Sequence, residues 1–380
     1  MVVNNTSSQP NQSIDSLQKI SRISSVPIKN PSYKDTKDED EKRLKLIKSE
    51  KLHESINYSK RLDTYQISVS FLLISLIHLL SIIPNKYNNF FKKFYTLQYK
   101  NNATNLYGIG IDDAYFLAYW VVCLIFIRSF LMVFLLQPLA HYFKIHKFKA
   151  IERFREQGWS TIYYSVSWFC GIYLYYKSDY FFNLNNIYKN WPIKELEFWY
   201  KNYYLIQTAC WFQQIFVLNI EEKRKDYLQM FSHHIITTIL CVSSYNYYFS
   251  RVGHVILIIM DSGDIFLSGA KMLKYCGFEH LCDIAFVLFV INWIILRHGC
   301  YNLVFYHALT KAMKIMDGNC IDHPENEICY TDSAMNFFFI LLGGLQIITI
   351  FWLFMILRVA WKVISGNNAE DVRSDDDDSE

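Results

Sequence analysis

Two adjacent histidines, His233 and His234, stand in one apolar stretch of this 380-residue chain, and two aspartates, Asp261 and Asp264, stand in the next. Imidazole is the side chain best suited to general-base or nucleophilic work near neutral pH, and a nearby carboxylate fixes its tautomer and supports its charged form. Ionisable groups inside a bilayer are costly and tend to mark function. Interhelical hydrogen bonding accounts well for a lone membrane histidine. It accounts poorly for a histidine pair matched by two carboxylates. A metal centre is not expected, because His78, His141, His146, His254, His298 and His307 are dispersed rather than gathered in repeated ligand clusters.

Helical spacing supplies the next step. His233, His234, Thr237, Thr238, Cys241 and Ser244 recur at three- and four-residue steps and form one polar stripe. Asp261, Asp264, Ser268 and Lys271 form a second. A very short connection near residues 249–252 predicts an antiparallel helix pair. With 1.5 Å of rise per residue, His233 lies roughly 12 Å beyond Lys225, and the aspartates lie roughly 10–15 Å back from Lys271. Both pairs are therefore expected at one depth, with the stripes facing each other or an enclosed cavity.

The elements that must carry these stripes are membrane helices. The chain is 52% hydrophobic and only 19% charged, which argues against an ordinary soluble domain. A net charge of +3 gives no reason to expect a nucleic-acid partner. Eight apolar stretches approach the length needed to cross a bilayer, at 64–83, 114–136, 161–176, 199–218, 228–248, 253–273, 281–306 and 335–364. The third is the shortest. The predicted fold class is an all-α multi-pass membrane protein of about eight transmembrane helices, forming a bundle around a lipid cavity. Residues 1–61 read as a disordered cytosolic tail with a basic end, without a cleavable signal peptide. Residues 62–110 hold the first span and a lumenal loop, 111–365 the membrane bundle, and 366–380 an acidic cytosolic tail.

Charge in the loops orients the bundle. Lys144, Lys147, Lys149, Arg153 and Arg155, then Lys223, Arg224 and Lys225, then Lys271 and Lys274, fall on one side together with Arg358 and Lys362. The positive-inside bias places that side, and both termini, in the cytosol. The opposite side gains Asn102, in the acceptor triplet Asn102-Ala103-Thr104, as a glycosylation candidate. Cys320 and Cys329 share the last outside loop and are candidates for a disulfide. Ser374, followed by acid, is a phosphorylation candidate in the cytosolic tail. Arg128, Arg297 and His298 are further intramembrane polar residues, expected to pair or pack rather than react.

The stretch from Arg224 to Lys271 resembles the Lag motif of the TLC-domain ceramide synthases. The run NIEEKRKDY before the first stripe fits as well. Matching positions are Arg224, Lys225, Asp226, Met230, His233, His234, Thr237, Ser243, Ser244, Tyr245, Gly253, Met260, Asp261, Asp264, Leu267 and Lys271. A weaker resemblance covers 114–361, including Arg128, Pro138, Tyr203, Tyr204, Trp211, Gln213 and Gln214. Tyr227 departs from the more usual Phe but keeps the ring. The lack of an insert after the first span and the acidic tail resemble the fungal branch.

The resemblance implies transfer of a fatty acyl group from acyl-CoA, a co-substrate rather than a cofactor, to the amine of a sphingoid base in the endoplasmic reticulum membrane. It further implies His233, His234, Asp261 and Asp264 as catalytic residues. Lys223, Arg224, Lys225, Thr237, Ser244, Tyr245 and Lys271 form the candidate substrate-binding set. The basic members have a second reading as topology markers. The reading extends to a small single-span accessory subunit and to a homo- or heterodimer with a paralogue. The last lumenal loop, around 313–332, is expected to influence acyl-chain length. The rival class is a non-catalytic lipid sensor or transporter of the same fold, which has no reason to keep all four ionisable groups.

Overall fold

A chain that crosses lipid must satisfy its backbone polar groups internally, and each of the eight apolar stretches is built as a helix. The computed structural model describes residues 33–84, 86–221, 225–316, 320 and 328–365. Lys223, Arg224, Ser374 and the acidic loop residues Asp317, Asp322, Glu325 and Glu327 lie outside them. The chain divides into two units, Met1–Arg61 and Leu62–Glu380. In the first, the described residues are helical and those at 46–55 are exposed.

The helices are α1 (Tyr33–Ile82), α2 (Asp113–Tyr142), α3 (Phe148–Lys177), the short α4 (Leu184–Tyr188), α5 (Phe198–Ile220), α6 (Tyr227–Asn246), α7 (Ser250–Tyr275), α8 (Glu279–Ile315) and α9 (Asp332–Ile364). Among the described residues, five are long and apolar enough to cross a membrane by length and composition: α1, α2, α7, α8 and α9. Helices α3, α5 and α6 are long enough as well, since even the 20 residues of α6 span about 30 Å. What lowers their apolar character is a set of buried polar groups, including Arg155 on α3, Lys201, Gln207 and Gln213 on α5, and His233 and His234 on α6. The stretch expected to be shortest, 161–176, is the second half of the 30-residue α3.

In the second unit, Phe71, Leu72, Ile340, Ile347 and Phe354 point outward and are more than half exposed, as a lipid-facing surface requires. Helix α7 is the inner element. It packs most extensively on α3 and α8 and less on α6, while α5 packs on α2 and α6, and α9 on α6. The α6–α7 connection is Tyr247–Phe249, slightly earlier than the sequence suggested.

Two helices are interrupted by π-helical turns. In α2 the turn Met132–Leu136 precedes Pro138, whose missing N–H and ring disturb the regular bonding of the preceding turn. In α8 the segment Trp293–Cys300 carries Arg297.

On the side where α6 joins α7, the connections are tied together. Strand β1 (Tyr107–Gly108) pairs antiparallel with β2 (Glu195–Leu196). The fully buried Lys201 ammonium donates to the carbonyls of Gly108 (2.6 Å) and Gln98 (3.1 Å) and pairs with Asp113 at 2.7 Å. Two carbonyls and a carboxylate surround the buried cation, the condition under which its burial is tolerated. Cys320 and Cys329 form a disulfide.

Candidate active site

The helical spacing of α6 turns His233, Thr237, Leu240, Cys241 and Ser244 to one face, and that face lines a cavity. Helix α7 adds Gly253, Ile256, Leu257, Met260 and Asp264. Helix α9 adds Met335, Phe338, Phe339, Leu342 and Leu345 at the same three- and four-residue steps. His233 and the Asp264–Arg297 pair supply the cavity's ionisable lining. The middle is mostly hydrocarbon, with Thr237, Ser244 and Tyr204 also on its walls.

His233 is buried among ring edges. Trp352, Trp211 and His234 approach it in T-shaped contacts at 5.2, 5.5 and 5.6 Å between centroids. Its backbone carbonyl accepts from Thr237 Oγ1 at 2.8 Å, but its Nδ1 has no hydrogen-bond partner among the described residues. His234 differs. Its Nδ1 lies 2.7 Å from the Met230 carbonyl, and a carbonyl only accepts, so Nδ1 carries the proton and a neutral ring keeps its lone pair on Nε2.

Asp264 is held by Arg297, whose guanidinium donates to its carboxylate at 2.9 Å and to the Met260 carbonyl at 2.7 Å. The guanidinium also lies 4.0 Å from the centre of the Trp293 ring. Asp261 is almost completely buried and accepts from Ser167 Oγ and Gln207 Nε2, each at 2.8 Å. Tyr163 in turn donates to Gln207 Oε1 at 2.7 Å. Asp261 thus ends a network running into α3 and α5.

This corrects the picture of two whole stripes face to face. Only one member of each pair, His233 and Asp264, lines the cavity. Adjacent helical residues point about 100° apart, and residues three apart still differ by about 60°. A single cavity wall therefore cannot present both members of each pair equally.

The candidate substrate-binding residues divide as well. Thr237 and Ser244 line the cavity, with Ser244 bonded to the Tyr204 hydroxyl at 2.5 Å. Tyr245 does not line it. Its hydroxyl donates to Asp113 at 2.8 Å, and its ring stacks on Tyr204. Lys271 also lies off the lining, because seven residues carry it two turns beyond Asp264. Lys225 is exposed just before α6, and Asn102 is exposed in the connection before α2. Arg128 pairs with Glu221, and His298 Nδ1 meets the Gln346 amide at 3.1 Å, so both are engaged in packing as expected. Arg297 was read as a structural pair, and its place on the cavity wall beside Asp264 is the feature that reading missed. Ser167 and Gln207 were missed as partners of Asp261, and only the motif at Tyr203-Tyr204 to Trp211 pointed towards α5 at all.

Comparison with known proteins gives the family. The sequence model of the TLC domain matches residues 153–358, more than half of the chain. The chain belongs to the TLC-domain family. Within it, the chain is 38% identical to the sphingosine N-acyltransferase lag1 of Schizosaccharomyces pombe, over 75% of this chain and 72% of that protein. It is also 38% identical to the sphingosine N-acyltransferase-like protein ALT7 of Alternaria alternata, with the same shares covered. With the ceramide synthase LAG1 of Saccharomyces cerevisiae it shares 30% identity, over 76% of this chain and 70% of the relative. The TLC-domain match contains all of α5, α6, α7 and α8, and so every polar residue at the head of the cavity.

Proposed function

We propose that this chain is a ceramide synthase that transfers the acyl group of a fatty acyl-CoA to the amine of a sphingoid base. The observation that carries the reading is the position of His233. It stands at the polar head of a long apolar cavity, beside the Asp264–Arg297 pair, within a TLC domain. An acyl chain matches the hydrocarbon walls, and a nucleophile or base is needed only where the thioester carbonyl would sit.

The chemistry we favour has two steps. His233 attacks the thioester carbonyl, the carbon–sulfur bond breaks, and CoA leaves as the thiolate. The sphingoid amine then attacks the acyl-imidazole, the amide bond forms, and the histidine nitrogen leaves. The proton lost by the amine passes to the imidazole system, with His234 as the neighbouring base. Asp264, held by Arg297, supplies a fixed charge beside the reacting centre. Asp261 acts from within the α3–α5 network by holding α7 in place. Thr237 and Ser244 belong to the substrate wall, and Lys225, with Lys223 and Arg224, is suited to the phosphates of CoA.

Location in the endoplasmic reticulum, both termini in the cytosol, a single-span accessory subunit and a paralogous dimer partner complete the proposal. Loop charge supports the orientation, and the family resemblance supports the rest. The test uses membranes carrying the full chain, supplied with acyl-CoA and dihydrosphingosine. Ceramide should form, and His233→Ala should reduce it by about a hundredfold or more. Intact-mass analysis with acyl-CoA alone should find the chain heavier by one acyl group, and His233→Ala should lose that adduct. Full activity in the alanine variant would refute the site.

A further inference from the structure

The end of the cavity remote from His233 is lined by a residue that sequence reasoning passed over. Tyr188 is the last residue of α4, in the connection between α3 and α5. It lines the cavity together with Phe249 and Phe338, near the α6–α7 turn, whereas His233, Asp264 and Arg297 line the other end. From His233 to the end of α6 at Asn246 the helix runs about 20 Å at 1.5 Å per residue. Leu240, Ile256, Leu257 and Leu342 make the walls between. Thr237 and Ser244 line this stretch too, but their hydroxyls are engaged, Thr237 with the His233 carbonyl and Ser244 with the Tyr204 hydroxyl and the Cys241 carbonyl.

The segment that carries Tyr188 is clamped on three sides. Arg251, in the first turn of α7, donates to the Asn186 carbonyl at 2.8 Å. Trp191 Nε1 donates to the Tyr247 carbonyl in the α6–α7 turn at 3.1 Å. His307 Nε2, on α8, meets Asn185 Oδ1 at 2.9 Å. The Tyr188 ring lies nearly parallel to the His307 ring, 13° apart with centroids 5.7 Å apart, and the residue is 2% exposed. Its hydroxyl has no hydrogen-bond partner among the described residues. The ring is therefore held by stacking and by the clamped segment, not by its hydroxyl.

We propose that Tyr188 is the stop against which the far end of the acyl chain abuts, so that it limits the length of acyl group the reaction accepts. The inference rests on the acyl-transfer reading. With the carbonyl fixed at His233 and a rigid ring at the other end, the distance between them is a ruler. A flexible plug would only blur the limit. The determinant then lies between α3 and α5, in addition to whatever the loop at 313–332 contributes.

The experiment presents full-length protein in membranes with dihydrosphingosine and a competing mixture of acyl-CoAs of increasing length, and reads the ceramides by mass spectrometry. In Tyr188→Ala the proportion of the longest products should rise about tenfold or more, the scale on which an apolar pocket discriminates a misfit of a methylene or so. Tyr188→Phe should keep the wild-type profile, because it keeps the ring. Tyr188→Trp should shift the profile to shorter chains. An active Tyr188→Ala with the wild-type profile would overturn the inference, and so would Tyr188→Phe shifting as far as the alanine variant. If the alanine variant fails to accumulate, an unshifted tryptophan variant overturns it alone. Wild-type membranes that make no ceramide from any acyl-CoA would sink the acyl-transfer reading itself. A wild-type enzyme whose profile ignores Tyr188 sinks only the stop.

Discussion

At the residue scale, the centre of the molecule is a division of labour among four ionisable groups. His233 and Asp264 border the cavity, and Asp261 is bonded to Ser167 and Gln207. Arg297 is buried while the Asp264 side chain keeps 29% of its exposure. Removing one partner of a buried ion pair leaves the other uncompensated, whereas replacing both with apolar groups is often neutral. Arg297→Met should therefore destabilise the protein by about 3 kcal/mol, the lower end of the usual cost because Asp264 is partly exposed. The double variant Arg297→Met/Asp264→Leu should recover most of that stability in a thermal-shift measurement yet form no ceramide. Recovered activity in the double variant would mean that the pair is structural only. The four groups were legible in the sequence because charge stands out against apolar stretches. Their partners were not. Ser167 lies 94 positions from Asp261 and Gln207 lies 54 away, and nothing in local spacing announces contacts at that range.

At the element scale, close approach among α5, α6 and α7 depends on one glycine. A Cβ at Gly253 would collide with the Tyr204 hydroxyl and stand 3.2 Å from Ser244 Oγ. Tyr204 cannot step aside, since it is fully buried and stacked between Tyr200 and Tyr245. Gly253→Ala should break the Tyr204–Ser244 bond, narrow the cavity and cost about 1–3 kcal/mol, as overpacking generally does. Its melting temperature should fall and its ceramide formation with it. An alanine variant as stable as the wild type would show that α5 and α7 can separate freely. Gly253 was visible as a motif position, but its reason lies in a tyrosine from another helix. The helices themselves were read well from hydropathy, down to the short third stretch. The π-helical turns were not. The first of the two in α8, Trp293–Cys300, carries the cavity-lining Arg297, and no composition signal marks where a helix widens its hydrogen-bond register.

At the scale of the whole molecule, the question of architecture is whether all eight long helices cross the membrane or only the five that hold a long apolar window. Parity decides it. Between Asn102 and Cys320 the chain runs through α2, α3, α5, α6, α7 and α8. If all six cross, the two residues share a side. If only α2, α7 and α8 cross, they lie on opposite sides. Length favours crossing by all, and so does the placement of polar groups. Lys201, Gln207, His233 and Asp261 are buried against neighbouring helices, so their polarity lowers hydropathy without exposing charge to lipid. The sequence suggested the same answer through its loop charges, since losing one span would break the positive-inside agreement. In sealed microsomes, Asn102 should carry a glycan that a glycosidase removes and that Asn102→Gln never acquires. In the same preparation, Cys320 and Cys329 should resist a thiol-reactive mass tag until they are reduced, and after reduction should accept it only when the membrane is made permeable. A glycan at Asn102 together with reduced Cys320 and Cys329 thiols, freely labelled from the cytosolic side, would require an odd number of crossings. That outcome would remove at least one of α3, α5 and α6 from the membrane, and with it the cavity on which the acyl-transfer reading depends.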